Sequence, residues 1–341
     1  MDGLRELAKS SPYFPVEFFA RADERFATAT ITLGAGGLDF QRANLGQDDL
    51  QNFFRHNQQT LQLSKLPEVV HTLKLAFLPR RSTGVSAFIY VDSLVFQSVL
   101  RDMCADPWVE HLIRSQAHGF HHSGSPSDGV ATFYLGTSLS WTIWTCRRES
   151  SGTFSTKCLT TVPAEKGYPG PIVMGGPIFD RAAALLDVIH AFRKDSHSAL
   201  YFPLVLAVNV LRYRESIILK SLELVRSIEA KTGHGSWGSG RFEEERDQIT
   251  KNTAILGTAL NTVGNTAWQL TLLESIFDYV DDLFLEMDRT RLERSEEIRA
   301  SDGSIVQAIG LLRHECKSAK TQCEYLEFRM RIQSSVVSRN I

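Results

Sequence analysis

A chain of 341 residues, of which 43% are hydrophobic, can bury a core and is long enough for two domains. Its 37 basic and 39 acidic residues nearly balance, which excludes the strong positive charge of most nucleic-acid-binding proteins. Five cysteines without a C-x-x-C pair predict a reducing, cytoplasmic compartment. The most apolar stretch, Ala199–Leu211, is shorter than the roughly twenty residues of a membrane-spanning helix.

The first part of the chain predicts an α/β domain at residues 21–195, preceded by an N-terminal arm at residues 1–20. Short runs rich in β-branched and aromatic residues predict strands. These runs are Phe26–Leu33, Val69–Leu78, Ser86–Val91, Val130–Leu135, Leu139–Cys146 and Thr153–Val162, the last three forming an antiparallel meander. Helices are predicted at Asp48–Leu63 and directly after Asp92, whose carboxylate can cap the first turn.

The second part, residues 196–341, predicts long helices almost throughout. Amphipathic patterns indicate helices at Ile178–Phe192, just before this part, at Ala199–Ala230 and at Phe242–Ile298. A turn is expected at Ala300–Ser304, where Gly303 could adopt a left-handed backbone. The fold class is therefore α+β: an α/β/α-like domain with a mixed sheet, followed by long antiparallel helices and a C-terminal stalk helix.

The last helix, Ile305–Val337, carries the clearest pattern in the sequence. Apolar or small residues recur in alternating steps of four and three, interrupted by Gln333, and so form one continuous seam along the helix. The seam consists of Ile305, Ile309, Leu312, Cys316, Ala319, Cys323, Leu326, Met330 and Val337. Such a seam must pack against other helices. Self-association is one interpretation, and an ordinary long core helix is the other.

Four acidic residues on the preceding helix are candidate ligands of a magnesium ion. They are Asp278, Asp281, Asp282 and Glu286, and positions 278, 282 and 286 share one helix face. Clustered carboxylates without a basic neighbour could attract a hard cation such as Mg²⁺. A solvated acidic helix face is the alternative explanation.

Histidines and glycines offer weaker candidate sites. His118, His121 and His122 are the densest group of zinc-type ligands, but Gly119 argues against the helix that would align His118 with His122. The sequence Gly34-Ala35-Gly36-Gly37 lacks the third glycine of a dinucleotide-binding loop, so a plain turn is favoured. Gly175-Gly176-Pro177 is interpreted as a loop-to-helix junction rather than an anion site.

Two local motifs stand out in this order of elements. The first is Asp106-Pro107-Trp108, followed by Arg114, Gln116, Gly119, Phe120 and His121. The second is the ending LEFRMRIQSSVV. With these motifs, an α/β domain followed by long antiparallel helices and a final stalk resembles the cytoplasmic part of CorA-like magnesium transporters, particularly the divergent group of filamentous fungi. The first motif has a longer spacing than in that group, and the second resembles the segment that leads into the first membrane helix of those proteins. The Gly-Met-Asn signature of the pore and both membrane helices are absent from this sequence.

The resemblance implies a non-enzymatic, soluble CorA-like domain that serves as a cation-sensing or assembly module of a metal ion transporter-like protein. Self-association through the seam is expected, with Mg²⁺ as the candidate ligand. The alternative is a protein-interaction scaffold whose long helices bind a partner without any ion. Cytoplasmic localisation is expected, and a membrane becomes a partner only if the natural chain continues past Ile341.

Overall fold

A computed structural model of the protein shows an N-terminal mixed sheet with short helices, followed by three long helices, and so confirms the predicted fold class. The structure describes residues 16–19, 24–34, 37–55, 69–82, 87–124, 129–136, 141–149, 153–163, 184–185, 187–232, 246–289 and 296–339. Most of the N-terminal arm, residues 56–63 of the first predicted helix and Gly175-Gly176-Pro177 lie outside this range.

Nine strands form the sheet in the described residues. They are β1 (Glu17–Phe18), β2 (Phe26–Gly34), β3 (Gly37–Leu45), β4 (Val69–Ser82), β5 (Ala87–Ile89), β6 (Gly119–Ser123), β7 (Val130–Gly136), β8 (Trp141–Arg148) and β9 (Phe154–Pro163). The strand order is β1-β5-β4-β9-β8-β7-β6, and the β2–β3 hairpin joins through a β2–β4 pairing. The β1–β5 and β4–β9 pairs are parallel and the others antiparallel, so the sheet is mixed as predicted.

Strands β2 and β3 form an antiparallel hairpin, in which Gly34 pairs with Gly37. This pairing agrees with the expected turn, whose central residues Ala35 and Gly36 lie outside the described range. Strand β3 was not predicted, because its sequence GLDFQRANL is largely polar and much of the strand is exposed. The meander of β7, β8 and β9 is confirmed, since each of these strands pairs antiparallel with the next.

Three short helices, α1 (Gln47–Phe53), α2 (Ser93–Asp102) and α3 (Trp108–Arg114), cover one face of the sheet. Helix α2 begins as predicted, because the Asp92 carboxylate accepts hydrogen bonds from the backbone N–H groups of Leu94 and Val95. The three helices and this face of the sheet share one buried apolar cluster. The cluster includes Leu50, Phe96, Val109, Ile113, Leu78, Ile143 and Leu159.

Two lysines hold the ends of the short helices against the sheet. Lys74 of β4 and Lys157 of β9 are register partners, and their ammonium groups donate to the carbonyls of Phe53 and Asp102 at distances of 2.8 and 2.7 Å. These carbonyls end α1 and α2, where a positive charge is favourable. Burial, reinforced by the neighbouring Lys157, lowers the pKa of Lys74 to about 8.

The opposite face of the sheet packs against the start of the fourth helix. Trp144 follows Ile143 on β8 and therefore points to the other side of the sheet. Its ring stacks on Phe133 at 4.8 Å and meets Phe202 edge-on at 5.8 Å. The sheet therefore has helices on both faces, which is the α/β/α-like arrangement expected from the sequence.

The three long helices are α4 (Tyr201–Thr232), α5 (Arg246–Arg289) and α6 (Glu296–Arg339). The predicted turn at Ala300–Ser304 is wrong, because these residues lie inside α6. Ser301 donates a 2.6 Å hydrogen bond to the carbonyl of Asp195, and the carboxylate of Asp302 accepts one from the hydroxyl of Ser198. Tertiary contacts of these polar side chains thus keep a turn-like sequence helical.

The buried contact between Ser198 and Asp302 gives a testable prediction. Replacing Ser198 by alanine removes a partner of a carboxylate that is 1% exposed. We expect the free energy of unfolding to fall by about 1–3 kcal/mol, because a buried charged acceptor loses a donor. Urea denaturation followed by circular dichroism measures this. Ser216→Ala is the control, since the Ser216 hydroxyl is exposed and donates only to a carbonyl of its own helix; equal losses in both variants would contradict the prediction.

The described residues fall into two compact units. One comprises Met1–Val205 and Leu283–Ile305, and so contains the sheet, the short helices, the first residues of α4 and α6 and the last residues of α5. The other comprises Leu206–Asp282 and Val306–Ile341, and contains the greater part of the long helices. None of the described helices is both long enough and apolar enough to cross a membrane.

Candidate functional site

The predicted seam of α6 lies in the interior of the chain. Each of its members, from Ile305 to Val337, is at most 9% exposed, and the interrupting Gln333 is buried as well. The small side chain of Cys316 allows its thiol to donate to the carbonyl of Leu270 on α5, with a 3.2 Å sulfur–oxygen distance. The seam thus packs against helices of the same chain, and its residues do not form an exposed surface for a second copy.

Arg313 of α6 contacts two of the four predicted magnesium ligands. Its guanidinium lies 2.7 Å from Asp278 and 2.7 Å from Asp281, and the hydrogen bond to Asp278 contributes most to raising the pKa of Arg313. The assumption that these carboxylates have no basic neighbour is therefore wrong. Asp282 and Glu286 are exposed on α5. Magnesium binding by this group stays a prediction, in which the ion competes with Arg313.

Two further ion pairs hold α6 against α5 and α4. Lys320 lies 2.8 Å from Glu274 on α5. Arg329 forms a two-pronged contact with Glu229 on α4, in which its Nε donates at 3.0 Å and its Nη2 donates to the second carboxylate oxygen. Both members of this second pair are less than 15% exposed. Such planar, partly buried pairs fix the axial register of neighbouring helices.

The three histidines do not converge. His121 and His122 are consecutive residues of β6, so their side chains point to opposite faces of the sheet. His121 packs beside the ring of Trp108, whereas His122 packs against Phe120. His118 precedes the strand, and its carbonyl lies 3.4 Å from the His121 ring. Within the described part of the chain, no three His, Cys, Asp or Glu side chains are grouped as a metal site would require.

The motif Asp106-Pro107-Trp108 has a structural role at the start of α3. The Asp106 carboxylate accepts from the backbone N–H of Trp108, and the Trp108 indole N–H donates to Ser123 of β6 at 3.2 Å. Helix α3 was not predicted from the sequence, although Asp-Pro is typical of a helix start. The motif thereby connects α3 to the edge of the sheet.

A second apolar surface of α6 was also missed. Tyr325, Phe328 and Ile332 are 55%, 62% and 44% exposed, and their spacing of three and four residues places them on one side of the helix. We call these three residues the outer face of α6. The sequence contained the signal, since YLEFRMRI alternates these three residues with the seam residues Leu326 and Met330, but the stronger periodicity of the seam concealed it.

Charged residues of both signs border the outer face. Glu324 precedes Phe328 by four residues, and Arg331 follows it by three. Arg331 is 71% exposed and lies 3.7 Å from Glu327, one turn back on the same helix. The acidic residues thus border the first half of the outer face and the basic residue its second half.

Comparisons with models of known protein families and with curated proteins find no match to this chain. The resemblance to the CorA-like transporters therefore rests on the motifs and the order of elements given above, and it stays a prediction.

Proposed function

We propose that this chain is a non-enzymatic assembly module of the CorA-like type, in which α6 binds a second copy of the chain. The order of its elements supports this proposal: a mixed sheet with helices on both faces precedes three long helices. The observation that carries the proposal is the outer face of α6. Clustered exposed aromatic and aliphatic side chains are typical of interaction surfaces, whereas the seam is already filled.

The charges beside the outer face favour a second copy as the partner. In an antiparallel pairing of two α6 helices about Phe328, Glu324 of one copy would approach Arg331 of the other, and the same contact would recur by symmetry. Such a self-complementary pattern favours a two-fold dimer and opposes misaligned pairings. The two ends of the outer face thus carry opposite charges, which meet when two copies lie antiparallel.

Magnesium remains the candidate ligand of this module. Asp282 and Glu286 are exposed on α5, and Asp278 and Asp281 could join them only by leaving Arg313. As they stand, these carboxylates are not grouped as a metal site requires, so Mg²⁺, which can retain several of its waters, would first have to displace Arg313. Magnesium binding would then break the ion pairs that Arg313 of α6 forms with Asp278 and Asp281 of α5. Cation binding would in this way change the packing of these two helices.

Size-exclusion chromatography with light scattering tests the assembly. We expect the wild-type chain to form a dimer or larger assembly whose proportion changes with millimolar Mg²⁺, and the Phe328→Asp/Ile332→Asp variant to be a monomer. The control is Leu219→Asp on α4, where the exposed fraction of the leucine is similar at 59%. Circular dichroism verifies that each variant is folded.

A wild-type chain that remains monomeric at high concentration, with or without Mg²⁺, would contradict the proposed assembly. Unchanged assembly of the folded double variant would show that the outer face is not the contact.

A scaffold that binds a different protein is the alternative function. Tyrosine is enriched among the residues that dominate protein–protein binding energies, and Tyr325 lies on the outer face. In this case the wild-type chain would be a monomer by itself, and partner binding would be insensitive to Mg²⁺. The Phe328→Asp/Ile332→Asp variant would lose that binding, whereas Leu219→Asp would retain it.

A further inference from the structure

Arg80 is a buried cation at the end of β4. Its side chain is only 5% exposed, and one guanidinium nitrogen, Nη2, donates to the amide oxygen of Gln116 at 3.3 Å. In the part of the chain that the structure describes, the Nε of Arg80 has no hydrogen-bond partner. Among the described residues, no carboxylate forms an ion pair with this arginine.

Burying this guanidinium lowers the stability of the folded chain unless the group has a further partner. Burial of a charged group is unfavourable, and buried arginines in proteins are paired with anions or fully hydrogen-bonded. Burial accordingly lowers the pKa of Arg80, and the neighbouring Tyr134 opposes this effect. Arginine nevertheless stays protonated in proteins, so the charge persists, and none of the described residues supplies an acceptor to the Nε.

The position of Arg80 in the sheet suits a ligand. Arg80 lies opposite Pro163 in the parallel β4–β9 pair, so the carboxyl ends of both strands meet at this edge. Ligands of α/β sheets bind characteristically outside the carboxyl ends of parallel strands. Ile89 of the short strand β5 lies opposite Arg80 on the other side.

Gln116, the one described partner of the guanidinium, is held firmly in place. Its backbone has a positive φ of 50°, which is unusual for a residue other than glycine. The hydroxyl of Tyr134 donates to the carbonyl of the next residue, Ala117, at 2.8 Å. Gly136 permits this approach, because a Cβ there would lie 2.2 Å from the same carbonyl oxygen. The backbone around Gln116 is therefore fixed near the end of β4, from where its amide oxygen accepts the Arg80 hydrogen bond.

We propose that Arg80 and Gln116 form a binding site for the oxyanion of a small ligand at the carboxyl ends of β4 and β9. The guanidinium offers parallel N–H donors that match a carboxylate or a phosphate. The amide nitrogen of Gln116 supplies an additional donor. An oxyanion would satisfy the free Nε and neutralise the buried charge in one contact. This site is independent of the assembly surface on α6.

Thermal unfolding in the presence of inorganic phosphate, acetate or chloride, at matched ionic strength, tests the proposal. We expect phosphate or acetate to raise the melting temperature of the wild-type chain saturably, whereas chloride does not. A response to phosphate alone indicates a phosphoryl ligand, and a response to acetate alone indicates a carboxylate ligand. Arg80→Met should abolish the response, and its exposed neighbour provides the control variant Arg81→Met, which should retain it.

Gln116→Asn provides a second variant if Arg80→Met fails to fold. Asparagine tolerates the left-handed backbone but has a shorter side chain, so we expect anion affinity to fall about tenfold, as for the loss of one hydrogen bond to a charged group. The absence of a saturable response to both phosphate and acetate would overturn the proposal. Equal responses of the wild-type chain and folded Arg80→Met, or of the wild-type chain and Gln116→Asn, would overturn it as well.

Discussion

Replacing Leu326 by alanine is expected to lower the free energy of unfolding by about 2–5 kcal/mol, the usual cost of removing a large buried side chain from a packed core. Leu326 is 2% exposed and belongs to the seam that packs inside the chain. Urea denaturation followed by circular dichroism, at a concentration where the chain is monomeric, measures the loss.

The matched control for Leu326 lies two residues further along the same helix. Phe328 is 62% exposed, so Phe328→Ala should change the free energy of unfolding of the monomer by no more than about 0.5 kcal/mol. Comparable losses in the two variants would show that the seam and the outer face of α6 are not distinguished by burial. The comparison therefore tests directly which surface of α6 belongs to the core.

Acidification from pH 6.5 to pH 4 is expected to cost about 3 kcal/mol of stability through His71 alone. This histidine is fully buried, with its ring nitrogens 2.8 Å from the Thr156 hydroxyl and 3.2 Å from the Ser196 carbonyl. Burial lowers the pKa of His71 from 6.5 to about 4. Between these values the unfolded chain binds a proton that the folded chain does not, so stability is complete above pH 6.5 and declines as pH falls toward 4.

His71→Gln isolates this contribution from the carboxylates that also titrate in acid. Glutamine can still hydrogen-bond to Thr156 or Ser196 but does not titrate in this range. Denaturation at a series of pH values should therefore give a shallower decline for the variant between pH 6.5 and 4. Parallel declines for both chains would mean that His71 keeps an ordinary pKa in the fold.

The strands with alternating or β-branched sequences were predictable, because a half-buried strand needs that pattern. The start of α2 was equally predictable, because a capping aspartate acts on its immediate neighbours. Strand β3 was not, since its pairing with β2 is made by backbone groups of a polar sequence. The predicted turn at Ala300–Ser304 failed because local propensity was outweighed by contacts with Asp195 and Ser198, which are distant in the sequence.

For the candidate sites too, features set by neighbouring residues were predictable from the sequence, whereas contacts between residues distant in the sequence were not. Periodicity indicated correctly that one side of α6 is buried, but it could not indicate whether the covering helices belong to the same chain. The acidic residues of α5 were recognisable as a cluster, yet their neutralising partner, Arg313, comes from a different helix. Arg80 appears in the sequence as an ordinary arginine, and only the fold shows that it is buried without a carboxylate among the described residues.

The position of β4 in the sheet has a consequence for how the protein folds during synthesis. β4 pairs with β2 and β5, which are close to it in sequence, but its parallel neighbour β9 follows only after β5, β6, β7 and β8. Pairings between such distant segments form late, because a long loop must first be closed. Until the ribosome has released β9, one edge of β4 has unpaired backbone groups, through which a nascent chain at that stage can aggregate.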